Sequence, residues 1–328
     1  MTATSPSRRG SNSADPCRVE RVRRTDRRRV LGLILTGYPD EQDPAIDQFL
    51  SFAATQNLDV SQLWAAERGG HPVAAVMVVP NVGRTAMLFM SPLRDGATRP
   101  ALREASRRAC EAQSPHKVQI VQALLEPSQH MEREALAGAG FQDLAELLYL
   151  RCDVNKRAAP LQLDDSLTVR RWSDRDRRVF ADTTLSSYEG TLDCPGLMGL
   201  RAINDILDGH MATGCFVPDL WLAVTCGDEP VGVMLLNPAP QRPAVELVYL
   251  GLSPAWRGRG LGRKLIQHGL WVAPQYKARE IILAVDKINT PALALYRSVG
   301  FKQTARKSAM IHPVFSTNYP ESCPDTGG

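Results

Sequence analysis

Glu246-Leu247-Val248-Tyr249-Leu250-Gly251-Leu252-Ser253-Pro254-Ala255-Trp256-Arg257-Gly258-Arg259-Gly260-Leu261-Gly262-Arg263-Lys264-Leu265 is the stretch on which the reading of this chain turns. Its front is rich in β-formers and predicts a strand over about 245–252. Three glycines in five residues then predict a turn. Leu261, Leu265 and Val272 recur at helical spacing and predict a helix over about 260–273. Glycine lets a backbone come close to a ligand and adopt conformations closed to other residues. The unpaired N–H groups and positive dipole end at a helix start form a seat for phosphate oxygens. Arg257, Arg259, Arg263 and Lys264 add charge there. The turn is neither a G-x-G-x-x-G fingerprint nor a P-loop. Taken alone it reads equally well as a tight turn ahead of a charged surface helix.

The next element decides between the two. Leu283 to Phe301 reads as a strand over 280–285, a loop, a short helix over 291–299 and a last strand from Phe301. Thr290 suits the N-cap of that helix, Pro291 its first position and Gly300 its stop. Upstream, the pattern predicts a strand over 167–172, a helix over 173–188, a second helix over about 197–210, and a hairpin from Leu220 to Pro238. Strands and helices mixed in this order predict an α/β fold, a twisted mixed sheet flanked by helices.

Together the two stretches resemble the GNAT superfamily of N-acetyltransferases over roughly residues 165–314. The family's cofactor signature, [Q/R]-x-x-G-x-[G/A], is matched by Arg257, Gly260 and Gly262; its second, an Asn and a Tyr ahead of Gly-Phe, by Asn289, Tyr296, Gly300 and Phe301. The resemblance implies acetyl-CoA as co-substrate, with no metal. Backbone groups of Leu250, Gly251 and Leu252 would pair with its pantetheine arm, and Asn289 would bond that arm from the other side. The segment Arg257-Gly258-Arg259-Gly260-Leu261-Gly262, extended by Arg263 and Lys264, would hold the pyrophosphate.

The reaction so implied is direct attack of an amine on a thioester. An alkylamine with a pKa near ~10.4 is mostly protonated at pH 7, so a base, or water leading to one, assists. Glu246 is the candidate base: strand alternation puts it on one face with Val248, Leu250 and Leu252, beside the cleft, where apolar neighbours would raise its pKa. Tyr296 matches the family's tyrosine as acid to the leaving thiolate, which also makes it a cofactor contact. Asp286 and His268 read as surface groups. The acceptor pocket of this fold is built around the first two helices, here the loop from Tyr188 to Gly196. Tyr188, Glu189 and Asp193 are its candidate contacts, the acidic pair suggesting a cationic acceptor. Cys194 as an acyl carrier is the weaker alternative to direct transfer.

The chain also repeats itself. Leu63-Trp64-Ala65-Ala66 and the apolar run to Pro80 return about 157 residues later as Leu220-Trp221-Leu222-Ala223 and the run to Pro238. Ala139-Gly140-Phe141 matches Val299-Gly300-Phe301, and Val22-Arg23-Arg24 matches Val169-Arg170-Arg171. These predict tandem GNAT-like units over 17–155 and 167–314, a linker over 156–166, a disordered segment over 1–16 and a flexible tail over 315–328. The match also folds the arginine-rich run from Arg18 to Arg29 into a strand and helix instead of a nucleic-acid arm. The N-terminal unit departs from the signature. Ser91-Pro92-Leu93-Arg94 lacks the spaced glycines, Leu136 stands for Tyr296, and Ser128 or Gln129 stands where Asn289 does. It reads as a degenerate copy that supports the active one, Ser128 capping a helix with Glu132 near its start. The tandem plan is similar to that of mycothiol synthases, although no motif points to a thiol-sugar acceptor.

Composition agrees. Over 328 residues, 44% are hydrophobic, 23% are charged, and the net charge is +4, ordinary for a core-forming chain of two units. That balance predicts no nucleic-acid partner, and no apolar run approaches the ~20 residues of a membrane span. Arginines at the N-terminus lack the apolar segment of a secretory signal, so the expected location is cytoplasmic. Seven scattered cysteines contain no C-x-x-C, which supports neither a zinc site nor a disulfide framework. Two roles remain: an acetyltransferase acting on a small-molecule or protein amine, or a non-catalytic acetyl-CoA-binding module.

Overall fold

The computed structural model describes residues 17–154 and 158–314. The expected disordered segment over 1–16, the tail over 315–328 and part of the linker lie outside the described residues. Each half runs through the same elements in the same order. The N-terminal half contains β1 (Arg18–Arg21), α1 (Arg27–Thr36), α2 (Pro44–Thr55), β2 (Leu63–Arg68), β3 (His71–Asn81), β4 (Thr85–Met90), α3 (Arg99–Glu111), β5 (Ile120–Leu125), α4 (His130–Gly138) and β6 (Gln142–Asp153). The C-terminal half contains β7 (Thr168–Arg171), α5 (Arg177–Tyr188), α6 (Ile203–Met211), β8 (Trp221–Cys226), β9 (Glu229–Pro238), β10 (Ala244–Leu252), α7 (Leu261–Val272), β11 (Glu280–Asp286), α8 (Thr290–Val299) and β12 (Lys302–Pro313). The arginine run of the N-terminus folds into β1 and the start of α1.

All strands belong to one 12-stranded sheet, ordered β1-β2-β3-β4-β5-β12-β6-β11-β10-β9-β8-β7. The order shows something the sequence does not: the halves exchange their last strands. β12 lies against β5 of the other half, and β6 lies against β11. Strand pairing therefore crosses the division at 156–166 in both directions. The register also fixes which helices share a face. Helices α1, α2, α5 and α6 cover one side of the sheet through the buried groups around Leu31, Met77, Phe180 and Trp221. Helices α3, α4, α7 and α8 cover the other through Leu102, Leu136, Leu265 and Leu293. On the first side the middle of the sheet stays open between the helix layers. Ala284 and Ala305 are exposed there, and Tyr149 is half-buried.

Local differences from expectation have local causes. Helix α6 begins at Ile203 instead of about 197, because Pro195–Leu197 forms a single 3-10 turn and Gly199 takes a left-handed φ of 76°. Asn289, not Thr290, caps α8: its side chain accepts from Ala292 N at 3.3 Å. Ser128 does not cap α4, whose N-cap is Gln129 with no side-chain bond; the Glu132 carboxylate is instead buried and accepts from Leu93 N at 2.7 Å. Asp286 is no surface group: it is 1% exposed and accepts from the N–H groups of Ile288 and Cys194. Half-buried His268 accepts from Leu161 N. Among the described residues, no helix is long and apolar enough to cross a membrane.

Candidate active site

β10 and β11 run parallel but pair over three positions only, Ala244–Glu246 against Glu280–Ile282. Beyond Glu246 the strands part, leaving the edge of β10 that faces β11 without a ladder partner there. A cavity of about 390 Å³ occupies the gap. Leu250, Gly251 and Leu252 form one wall, and Asn289, Ala292, Leu295 and Tyr296 form the opposite one. The sequence places these residues on a strand and on the helix after the next strand; the splay brings them face to face. Gly251 is obligatory, since a Cβ there would lie 2.3 Å from Ser187 Oγ and 2.7 Å from Tyr249 Oη.

At the phosphate end lie Gly258, Gly260, Gly262 and Arg263. Gly258 and Gly260 hold φ values of 73° and 83°, which turn the backbone so that α7 starts without any side-chain cap. Among the described residues, the N–H groups of Gly258, Arg259, Gly260, Leu261 and Gly262 have no hydrogen-bond acceptor. Five consecutive donors lead into a helix N-terminus, and three of their residues, Gly258, Gly260 and Gly262, line the cavity; the arrangement fits an anion such as a pyrophosphate.

The charged side chains nearby serve other partners. Arg257 donates to four backbone carbonyls, and Arg263 donates to Ser298 Oγ at 2.7 Å. Arg259 stacks over Trp256, 5.0 Å from its ring centroid. Lys264 lies 4.0 Å from Asp164, and the Leu261 side chain is buried in the core. The side chains of Arg259, Leu261 and Lys264 do not line the cavity. Of these residues, Arg259 and Leu261 offer free main-chain N–H groups among the described residues, whereas those of Arg257, Arg263 and Lys264 already donate to Pro254 O and Gly260 O.

Tyr296 is 6% exposed, lines the cavity and packs at 5.5 Å against Phe301. Burial, and secondarily Asp193, pushes its phenol pKa well up. Glu246 does not line the cavity. Pairing of β10 with β9 slips between Leu247 and Tyr249, leaving Val248 as an extra residue. The bulge reverses the alternation that follows it. Glu246 therefore shares its face with Tyr249 and Gly251, and Leu250 and Leu252 turn to the other side. Its carboxylate is half-buried on the α5/α6 side and makes no hydrogen bond or ion pair among the described residues. Desolvation raises its pKa, with Arg242 opposing.

Of the loop residues, Asp193 lines the cavity, while Tyr188 and Glu189 do not. Asp193 Oδ1 accepts from Asp286 N at 3.1 Å, and the reciprocal bond runs from Cys194 N to Asp286 Oδ2 at 3.2 Å. Burial raises the Asp193 pKa and pushes the Cys194 thiol up to about 12, unsuited to a nucleophilic thiolate at neutral pH. Tyr188 lies edge-on to Tyr249 at 5.7 Å, and burial pushes its phenol up to about 12. Sequence reasoning did not single out Ser187 and Tyr249 of the lining; both come too close to Gly251 for a side chain at that position.

Comparison with known proteins agrees with this geometry. The model of the acetyltransferase (GNAT) family matches residues 200–301. The peptidyl-lysine N-acetyltransferase YjaB of Salmonella typhimurium is 35% identical over 111 residues, 32% of this chain and 69% of that protein. A mycothiol acetyltransferase of Corynebacterium glutamicum is 42% identical over 87 residues, only 26% of this chain and 28% of that enzyme. A GCN5-related N-acetyltransferase from Sphaerobacter thermophilus shares the fold across both halves, with a TM-score of 0.59 and 17% identity over 92% of this chain and 96% of that one. With a family signature, a splayed β10/β11 pair and an open anion seat in register, the chain belongs to the acetyltransferase (GNAT) family.

Proposed function

We propose that the C-terminal half transfers an acetyl group from acetyl-CoA to a primary amine that enters on the α5/α6 side of the sheet. The observation that carries the reading is the row of five amides from Gly258 to Gly262, unpartnered among the described residues, beside a cavity that Gly258, Gly260 and Gly262 line and that runs to Tyr296. In this reading those amides hold the pyrophosphate. The free edge of β10 at Leu250–Leu252 and the Asn289 amide group hold the pantetheine arm. Asn289 Oδ1 is engaged in capping α8, so its NH₂ is the group left to donate. Acetyl-CoA supplies an activated acyl group as a thioester.

The chain's own groups then move two protons. Glu246, raised by desolvation, accepts through water one proton of the incoming ammonium, since its carboxylate lies outside the cavity; the second nitrogen proton, released as the amide forms, restores the Tyr296 phenol after that phenol has protonated the sulfur. Tyr296 keeps its proton at neutral pH and donates it to the departing sulfur. The same low-dielectric surroundings that raise the phenol also make a thiolate more basic, so donor and acceptor remain matched. Glu246 and Asp193, each with carboxylate capacity unspent on protein cations, favour an acceptor that arrives as an ammonium. The open floor at Ala284 and Tyr149 gives it a route that both halves border. A lysine side chain, the acceptor class named for the Salmonella relative, and a sugar amine both fit this chemistry.

The test is release of free CoA from acetyl-CoA across a panel of amines, run on the wild-type chain and on Tyr296→Phe. Amine-dependent release that collapses in the variant supports the reading. Tight acetyl-CoA binding with no release from any amine would leave a binding module instead.

A further inference from the structure

Arg257 is the first residue of the cofactor signature, yet its guanidinium does not face the cavity's phosphate end. Nε donates to Leu252 O at 3.0 Å, Nη1 to Gly190 O at 3.3 Å, and Nη2 to Ser187 O at 3.0 Å and Glu189 O at 2.6 Å. A guanidinium has five N–H donors in a rigid fork, and four protein carbonyls take up all three of its nitrogens. Three of those carbonyls belong to the end of α5 and the residues just after it, the orphan acceptors that a helix C-terminus leaves behind. They also begin the loop that walls the cavity through Ser187, Gly190, Thr191, Leu192 and Asp193. The free amides begin one residue after Arg257, whose own N–H donates to Pro254 O, and its side chain holds the acceptor wall.

The N-terminal half provides an internal control. Arg94 follows the equivalent Ser-Pro turn, donates from Nη2 to Gly37 O at 2.8 Å and lies 3.7 Å over the Tyr38 ring. Gly37 is the residue that ends α1, as Glu189 ends α5. The glycine seat is missing from that half and the arginine clamp is kept. A side chain retained for phosphate would have no work there; a side chain that fastens the turn to the first helix layer does.

We propose that Arg257 is a positioning residue that couples the two substrate sites: seating the cofactor on the 258–262 amides orders the acceptor loop 187–193 through its guanidinium. The inference rests on the acetyltransferase reading of the site. Coupling of this kind is reciprocal, so an ordered loop also favours the cofactor.

The experiment measures hydrogen–deuterium exchange of the peptide spanning 186–194 with and without CoA, together with calorimetric titration of CoA, in wild type, Arg257→Lys and Arg257→Gln. Lysine keeps the charge but cannot span the four carbonyls; glutamine keeps a planar donor group. The expected result is that CoA slows exchange of the loop in wild type. In Arg257→Lys that CoA-dependent slowing is lost, CoA affinity stays within about tenfold, and Arg257→Gln recovers part of the slowing. A larger fall in CoA affinity with the slowing intact would make the guanidinium a phosphate ligand and overturn the proposal. Equal CoA-dependent slowing in all three proteins would overturn it too. Arg94→Lys should loosen exchange around Gly37 to the same extent with and without CoA. A wild-type chain that binds no CoA would instead remove the acetyltransferase reading, a result distinct from either of these.

Discussion

In the N-terminal half the Asp95 carboxylate accepts from Ala97 N at 3.0 Å and Thr98 N at 3.1 Å, just ahead of α3. The Glu132 carboxylate takes Leu93 N, and Leu93 and Leu136 are buried in the same core. At the corresponding turn of the C-terminal half no side chain caps α7, and five amides stand free among the described residues. The same scaffold thus ends its fourth strand in two ways, one turn whose Leu93, Ala97 and Thr98 amides donate to the protein's own carboxylates and the other with its amides free among the described residues. β4 also pairs with β3 without a register shift, whereas β10 is bulged at Val248. The difference teaches that one kind of turn can meet its amides with the chain's own anions or leave them free for another. Leu93 is buried, and a buried N–H without an acceptor is costly, so the Glu132 carboxylate is what lets that turn close on the core.

Attempts to break that contrast begin with the open turn. Gly260→Val places a β-branched residue at φ 83°, adding about 1–3 kcal/mol of backbone strain and crowding the anion's approach. Acetyl-CoA affinity is expected to fall by about a hundredfold or more, read by calorimetry, while the melting transition persists. Retained affinity would move the seat elsewhere. Tyr296→Phe should lower kcat by about a hundredfold and leave acetyl-CoA affinity unchanged; stopped-flow detection of free thiol separates the two.

Glu246→Gln is the next smaller effect, about tenfold to a hundredfold in kcat/KM for the acceptor. It also carries a pH signature. A base works ionised, so activity rises with pH through the Glu246 pKa, which burial places above the usual carboxylate range. The acidic limb of the wild-type profile should therefore lie above that range and vanish in the variant; an unmoved limb would assign it to another group. The smallest effect belongs to the filled half. Glu132→Ala leaves Leu93 N without its acceptor and should cost about 1–3 kcal/mol in urea unfolding, with acetyl-CoA binding unchanged.

Much of this site was legible before any coordinates. Gly258, Gly260 and Gly262 announce a turn because glycine alone tolerates that backbone, and Asn289, Tyr296 and Gly300 stand where a strand–helix–strand pattern must place them. The repeat was visible in its Leu-Trp-x-Ala and Gly-Phe matches. The Val248 bulge was not, since Leu-Val-Tyr-Leu is equally content in a regular strand, and a single extra residue reverses the face of every later side chain. That slip misplaced Glu246 relative to Leu250. The strand exchange was hidden for another reason. β6 and β12 present the same alternation whether they close their own half or the other, and only tertiary pairing chooses. The fates of Asp95 and Glu132 depend on contacts made in the folded chain, which residue type alone does not report.

The most direct test of the contrast between the halves is calorimetric titration of the intact chain with acetyl-CoA, read for stoichiometry as well as affinity. The account predicts one site per chain, lost in Gly260→Val and untouched in Glu132→Ala. Two sites would show that the N-terminal turn is not closed by its own carboxylates, and no site would contradict the assignment of the open amides to a cofactor.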